Sequence, residues 1–238
     1  MKIALVGYGR MGKTIETLAK EKGFEVALIL DQADWEDISL DQLKNIDVAI
    51  EFTQPESAFR NIKALLEAGI PVISGTTGWL EQKPAIDKIV AEQQGAFLYA
   101  SNFSVGMNIF FALNRQLAKM MGDHPDYKVL IEEIHHTTKQ DAPSGTAITL
   151  AEGILDNLDH KTSWVNDESS EREEIPILSI RKDPAPGTHV VHYQSFIDDI
   201  SIRHEAHTRA GFAQGALLAA QWIQGKRGVF GMQDMLGI

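Results

Sequence analysis

Cysteine is absent from the 238 residues of the chain. Its absence excludes disulfides, thiolate metal sites and a cysteine nucleophile, and it suits a reducing cytoplasm. Positive charge is scarce: 22 Lys and Arg stand against 33 Asp and Glu, a formal net charge of -11. Such a balance argues against a nucleic-acid or anionic-membrane surface. No apolar run reaches the roughly 20 residues of a membrane-spanning helix. The opening Met1-Lys2 enters a strand-like run without a signal-peptide pattern. Internal repeats and low-complexity tracts are missing as well. The expectation is a cytoplasmic protein with a small-molecule partner, built as one large domain or two small ones.

What is present begins with a dinucleotide fingerprint. Lys2 to Val6 has the length and apolar content of a buried strand. Gly7-Tyr8-Gly9-Arg10-Met11-Gly12 follows at once, a full G-x-G-x-x-G. A helical pattern from Arg10 to Lys22 places Met11, Ile15, Leu18 and Ala19 on one face, and Gly23 ends it. Glu25 to Leu30 reads as a second strand, with Asp31 at its end. In this context the three glycines serve a tight turn, close approach of a pyrophosphate, and helix-on-strand packing, while the helix N-terminus takes the phosphates. Asp31 is placed to accept hydrogen bonds from the ribose hydroxyls and to repel a 2′-phosphate. Gln32, not Arg, comes next. NADH is therefore the preferred cofactor and NADPH the alternative, with Arg10 and Lys13 partly offsetting the acid.

The pattern then repeats. Strands are expected over 47–52, 71–74 and 96–100, and helices over about 55–68 and 80–93, with 32–46 a connection holding one helical turn. Gly75-Thr76-Thr77-Gly78 is a second glycine turn at the same carboxyl edge, suited to the nicotinamide half of a cofactor. Alternating strands and helices predict a doubly wound, Rossmann-like parallel sheet. After an apolar helix over 105–121 the texture changes. Strands over 127–134, 176–182, 188–197 and 200–205, a helix over 147–158 and a polar surface loop over 159–174 predict an α+β domain with a mostly antiparallel sheet. Its open face suits another subunit. His189/His192 and His204/His207 show a loose metal-like spacing, but positions three apart on a strand face opposite ways, so no metal is expected. A closing helix over 209–223 returns to the first domain. The chain thus divides into a dinucleotide-binding domain, 1–104 with 209–238, and a substrate and oligomerisation domain, 105–208.

The chemistry concentrates in residues 132–147, Glu-Glu-Ile-His-His-Thr-Thr-Lys-Gln-Asp-Ala-Pro-Ser-Gly-Thr-Ala. His135, His136 and Lys139 lie within five positions, and Ser144-Gly145-Thr146 forms a turn ahead of a helix. A histidine holds and gives a proton near neutral pH. A lysine does the same or neutralises charge developing on nitrogen. A turn with N–H groups and a hydroxyl suits a carboxylate. The residues alone suggest a dehydrogenase for a small carboxylated substrate.

From His135 to Ala147 the chain resembles the signature of the 4-hydroxy-tetrahydrodipicolinate reductase family, also called dihydrodipicolinate reductases, of lysine and diaminopimelate biosynthesis. Gly7 to Gly12, Gly75 to Gly78, Ser101-Asn102-Phe103-Ser104-Val105-Gly106 and the segment from Trp222 to Leu236 resemble it in the same order. The resemblance implies NAD(P)H-dependent reduction of a dicarboxylate and a homotetramer. It implies His135 as the acid that protonates the ring, Lys139 as a second proton donor, and His136, Gly145 and Thr146 as substrate ligands. It also implies cofactor contacts at Gly75, Thr76, Thr77 and at Ala100, Ser101, Asn102 and Phe103. The chain departs from many members in its shorter loops and in Gln32. Two other readings are an aspartate or homoserine type of dehydrogenase, and a non-catalytic NADH sensor; neither accounts for the histidine, lysine and Ser-Gly-Thr group together.

Overall fold

The computed structural model describes residues 1–31, 40–208 and 210–238. Gln32 and Arg209 lie outside the described residues. The chain forms two compact units, Met1–Val105 with Ala210–Ile238, and Gly106–Arg209.

The first unit opens with β1 (Lys2–Val6), α1 (Arg10–Glu21), β2 (Glu25–Leu30) and the short α2 (Leu40–Leu43). It continues through β3 (Val48–Glu51), α3 (Pro55–Glu67), β4 (Val72–Ser74), a 3-10 turn at Leu80–Gln82, α4 (Lys83–Gln93) and β5 (Ala96–Tyr99). The second unit holds almost all of α5 (Val105–Met121), then β6 (Lys128–His135), α6 (Gly145–Leu155), β7 (Ser163–Val165), β8 (Glu174–Arg181), β9 (Thr188–Gln194) and β10 (Asp199–Glu205). The chain then returns to the first unit as α7 (Ala210–Trp222), β11 (Gly228–Phe230) and α8 (Met232–Leu236).

In the first unit the strands lie in the order β11-β5-β4-β3-β1-β2, and all pairs are parallel. Both faces are covered, so the central strands are apolar throughout. One face packs Ile3, Leu5, Ile50 and Leu98 against Ile15 and Ala19 of α1 and Ala213, Ala216 and Ala220 of α7. The other packs Ala4, Val6, Ala49 and Phe97 against Ile62, Leu65 and Leu66 of α3 and Ile86 and Val90 of α4. The small residues of α7 let it approach closely: a Cβ on Gly215 would fall 1.7 Å from the Phe103 carbonyl oxygen. β11 and α8 are elements that the sequence pattern does not announce.

The second unit is a mixed sheet, β10-β9-β6-β8-β7, antiparallel at β10-β9 and β9-β6 and parallel at β6-β8 and β8-β7. β7 falls within the expected 159–174 loop. It escapes notice because only three residues, Ser163–Val165, pair with β8. Along β6 the inner face carries Val129, Ile131, Glu133 and His135. Val129 and Ile131 join Ile175, Ile177, Val191 and Tyr193 of the neighbouring strands and Leu150 and Ile154 of α6 in one core. Toward the end of β6 that face turns polar.

Gly215→Ala is expected to destabilise the protein by about 1–3 kcal/mol through overpacking. This should outweigh the roughly 1 kcal/mol by which alanine favours a helix over glycine. Chemical denaturation checks it; a stability equal to or above the parent's would refute the close approach of α7 to the Phe103 segment.

Candidate active site

In the first unit the sheet order changes direction at β1, whose neighbours are β2 and β3. A crevice opens outside the carboxyl ends of strands at such a point. Here it is a cavity of about 220 Å³ lined by Gly7, Tyr8, Gly9, Leu30, Asp31 and, from the β3–α3 side, Phe52, Thr53, Gln54, Ser57, Arg60 and Asn61. The glycines divide the labour that their spacing suggests. Gly7 has φ +90°, and a Cβ there would meet the Phe52 carbonyl at 2.0 Å. A Cβ on Gly12 would meet the Gly7 carbonyl at 2.3 Å. A Cβ on Gly9 would meet nothing within 4 Å, so the backbone is open to a ligand there. Gly9 caps α1 without a side-chain hydrogen bond, and the first turn holds no acid. Helix N–H groups left without an internal acceptor suit phosphate oxygens. These features fit a dinucleotide. Tyr8 is tied to α1 by its hydroxyl, which donates to Glu16, and Arg10 and Met11 open the helix.

The second glycine turn rests on a carboxylate. Glu51, at the end of β3, has no exposed surface. It accepts hydrogen bonds from the Thr53 N–H at 3.0 Å, Ser74 Oγ at 2.6 Å and Thr76 Oγ1 at 2.8 Å, and from the Thr53 hydroxyl. The Thr76 side chain is thus spent inside the protein, whereas Thr77 is exposed. Gly75 lies on the Phe52 ring, which a Cβ would meet at 2.1 Å. Beyond β5, Ala100 donates its N–H to the Ser74 carbonyl at 3.2 Å, Ser101 is exposed, and the Asn102 Oδ1 accepts from the Ser104 N–H at 2.9 Å. Phe103 is buried, with its ring 5.6 Å from that of Phe52. Its side chain belongs to the core, leaving only its backbone to face a ligand.

In the second unit, strand register builds the polar end of the inner face. Glu133 lies opposite His189 on β9 and Ser179 on β8, and His135 lies opposite Arg181. Glu133 is fully buried. It accepts from the Ser144 N–H at 3.1 Å, Ser179 Oγ at 2.8 Å and an Arg181 Nη at 3.2 Å. Burial pushes its carboxyl up, but hydrogen bonds from His189, Ser144 and Ser179 outweigh burial and hold it well below the usual carboxylate range. The His135 and His189 Nε2 atoms are 3.3 Å apart, and they lie 3.6 Å and 3.7 Å from Glu133 Oε2. Burial, then the neighbouring His189 and the cations Lys139 and Arg181, lower the His135 pKa to about 4 against the pull of Glu133.

Ser144 connects this group to α6. The expected turn at Ser144-Gly145-Thr146 is the first turn of the helix itself, which begins at Gly145 rather than Ala147. The physical reason is the cap: Ser144 Oγ accepts from the Ala147 N–H at 3.2 Å. Gly145 and Thr146 are then the orphan donors of the first turn. A Cβ on Gly145 would meet nothing within 4 Å. Ser144 itself is not available, since its N–H goes to Glu133 and its hydroxyl lies 3.1 Å from His189 Nε2. In the loop after β6, His136 Nδ1 pairs with Thr138 Oγ1 at 2.7 Å, and Lys139 Nζ contacts both Asp141 oxygens at 2.7 Å. Lys139 holds the Asp141 carboxyl below its ordinary range. The structure therefore gathers His135, Ser144, Gly145 and Thr146 around residues that sequence reasoning missed: Glu133, Ser179, Arg181 and Asp141. His189 belongs here and not with His192. Glu133 and His135 two apart on a strand was the available signal.

Comparison with known proteins agrees on a family. Residues 1–103 match the description "Dihydrodipicolinate reductase, N-terminus" and residues 106–236 "Dihydrodipicolinate reductase, C-terminus". A 4-hydroxy-tetrahydrodipicolinate reductase of Christiangramia forsetii is 50% identical over 236 residues, covering 99% of this chain and 98% of the relative. One from Geobacter metallireducens is 33% identical over 267 residues, covering 100% and 99%. The fold is that of a solved dipicolinate-bound dihydrodipicolinate reductase from Paenisporosarcina sp. TG-14, with a TM-score of 0.79 at 22% identity over 98% of each chain. With both halves of the family matched in order along its length, the chain belongs to the dihydrodipicolinate reductases.

Proposed function

We propose that the protein catalyses the NAD(P)H-dependent reduction of 4-hydroxy-tetrahydrodipicolinate, by way of dihydrodipicolinate, to tetrahydrodipicolinate in lysine and diaminopimelate biosynthesis. The observation that carries this reading is the meeting, in the second unit, of His135 with the open first turn of α6 through Ser144 and His189. A proton donor beside orphan N–H groups is what reduction of an unsaturated carboxylate needs.

The first unit holds the cofactor on Gly7 to Gly12, Asp31, Gly75, Thr77 and the backbone of Thr76 and of Ala100 to Phe103. A bound nicotinamide supplies the hydride. In the second unit the Gly145 and Thr146 N–H groups hold a substrate carboxylate, and His136 and the Ser144 turn shape its surroundings. His135 is neutral at neutral pH in the ligand-free state, because its pKa lies near 4. A dianion nearby favours the imidazolium form, so substrate and proton arrive together. His135 then gives that proton to the carbon left electron-rich by hydride addition. Lys139 turns from Asp141 to the substrate and serves as the second donor. NADH is the favoured cofactor because Asp31 lines the cavity, although Arg60 lines it too. The protein works in the cytoplasm as a homotetramer. No helix among the described residues is long and apolar enough to cross a membrane. Phe196 and Ile197, at the tip between β9 and β10, are almost wholly exposed and supply apolar surface for a second copy.

Purified protein given enzymatically generated substrate should oxidise NADH, and Lys139→Ala should lower kcat by roughly 100-fold. No oxidation of either cofactor by the parent would sink the reading; undiminished turnover in the variant would remove Lys139 from it. Asp31→Asn should raise the NADPH to NADH ratio of kcat/KM by roughly tenfold, about 1.4 kcal/mol of relieved repulsion. An unchanged ratio would show that Asp31 does not discriminate. Light scattering should give a tetramer for the parent and smaller species for the double variant Phe196→Ser, Ile197→Ser; a monomeric parent would refute the assembly.

A further inference from the structure

The His135 ring uses its Nε2 within the protein, facing His189 Nε2 at 3.3 Å and Glu133 Oε2 at 3.6 Å. Two imidazole nitrogens at that separation share a proton, since two lone pairs pointed at each other repel. The other edge of the ring carries Nδ1, and the His135 side chain keeps 12% of its surface exposed. Its neighbour is Gly187, where a side chain would stand 2.9 Å from Cε1 and 3.3 Å from Nδ1. At φ +154° that position favours glycine, so the edge stays uncovered. Among the described residues no side chain pairs with His135 Nδ1.

His189 has a complementary asymmetry. Its Nδ1 is buried without a partner, while its Nε2 meets Ser144 Oγ at 3.1 Å as well as His135. Among the described residues nothing on the far side of the ring holds one tautomer, and its Nε2 faces Ser144, His135 and Glu133. The carboxylate of Glu133 is itself locked by Ser144, Ser179 and Arg181 and cannot swing away.

We propose that His189 and Glu133 are positioning residues that make the His135–His189 pair, rather than His135 alone, the acid of the reduction, with Glu133 as counterion to the pair and His135 Nδ1 as the nitrogen that delivers the proton. This rests on the reductase reading above. In the acid form the pair holds three protons on four nitrogens: one on His135 Nδ1, one between the Nε2 atoms and one on His189 Nδ1. On delivery the His135 Nδ1–H bond breaks and its electrons stay on nitrogen. The substrate carbanion pair forms the new C–H bond, and the shared proton settles on His135 Nε2. The pair ends neutral. A lone histidine would have to carry the positive charge by itself in a largely buried site.

The groups facing the pair are Glu133 on β6, Arg181 on β8, His204 on β10, and Lys139 with Asp141 in the loop after β6. Glu133 raises the His135 pKa, whereas His189, Lys139 and Arg181 lower it. In Glu133→Gln the pair should take up its first proton at lower pH than in the parent; in His189→Gln the two steps should collapse into one.

The test is a histidine 15N NMR titration of the ligand-free protein, read beside steady-state kinetics. In the parent the two rings should titrate as a coupled pair in two steps. Both variants should lose roughly 100-fold in kcat, the scale of a displaced general acid, with KM for the cofactor unchanged. In Glu133→Gln the loss should shrink as pH falls. Independent single titrations of His135 and His189 in the parent, or a His135 titration that neither variant moves, would overturn the proposal. Should Glu133→Gln fail to fold, His189→Gln decides alone. The NMR result stands whether or not the parent reduces the substrate, so failure of the pair and failure of the reductase reading are told apart.

Discussion

A buried carboxylate that cannot leave its partners is the constraint on which the second unit depends. Glu133 lies at the point where the inner face of β6 stops being apolar. Desolvating it is costly, and the cost is offset only because two elements supply three donors: Ser144 at the start of α6, and Ser179 and Arg181 on β8. Removing one partner of such a buried set costs about 3–5 kcal/mol. The same bonds place Ser144, and Ser144 fixes where α6 begins. The position of the helix's open N–H groups is thus decided by a side chain eleven residues earlier in the chain.

The first unit uses the same physics. Glu51 is an acid at the end of an otherwise apolar central strand, and its donors are hydroxyls and an N–H from the loop after β3, the last residue of β4 and the loop after it. It holds the second glycine turn as Glu133 holds the α6 cap. Both acids sit where a buried strand gives way to a loop. A loop at that point has few apolar contacts of its own, and a satisfied buried carboxylate gives it a defined shape.

Much of this was legible in the sequence. The parallel sheet follows from apolar runs alternating with helical periodicity, and the glycine turn from its place between a strand and a helix. The residues missed have physical reasons for being missed. β7 and β11 are three residues each, too short for any period to register. Glu133 and Glu51 look like ordinary strand-end acids until register shows which donors surround them. His189 draws attention in sequence only for its distance from His192, whereas its partner lies across the sheet at a separation of 54 residues. Ser144 looks like part of a loop because its neighbour is a glycine, and only its bond to the Ala147 N–H marks it as a cap.

The route of the chain through the first unit has a consequence for how the protein is made. β11 is the edge strand next to β5, and α7 shares one face of the sheet with α1, covering it with Ala213, Ala216, Leu217, Ala220 and Ile223. Both come from the last 29 residues of that unit, Ala210–Ile238. On a ribosome residues 1–105 emerge with Ile3, Leu5, Ile50 and Leu98 lacking one of the two helices that bury them. The second unit, continuous in sequence, is complete before the first can close. Synthesis order therefore runs opposite to completion order: residues 1–105 are made before the second unit and gain their full core after it, and in the interval one sheet face lacks α7 and the β5 edge is unpaired.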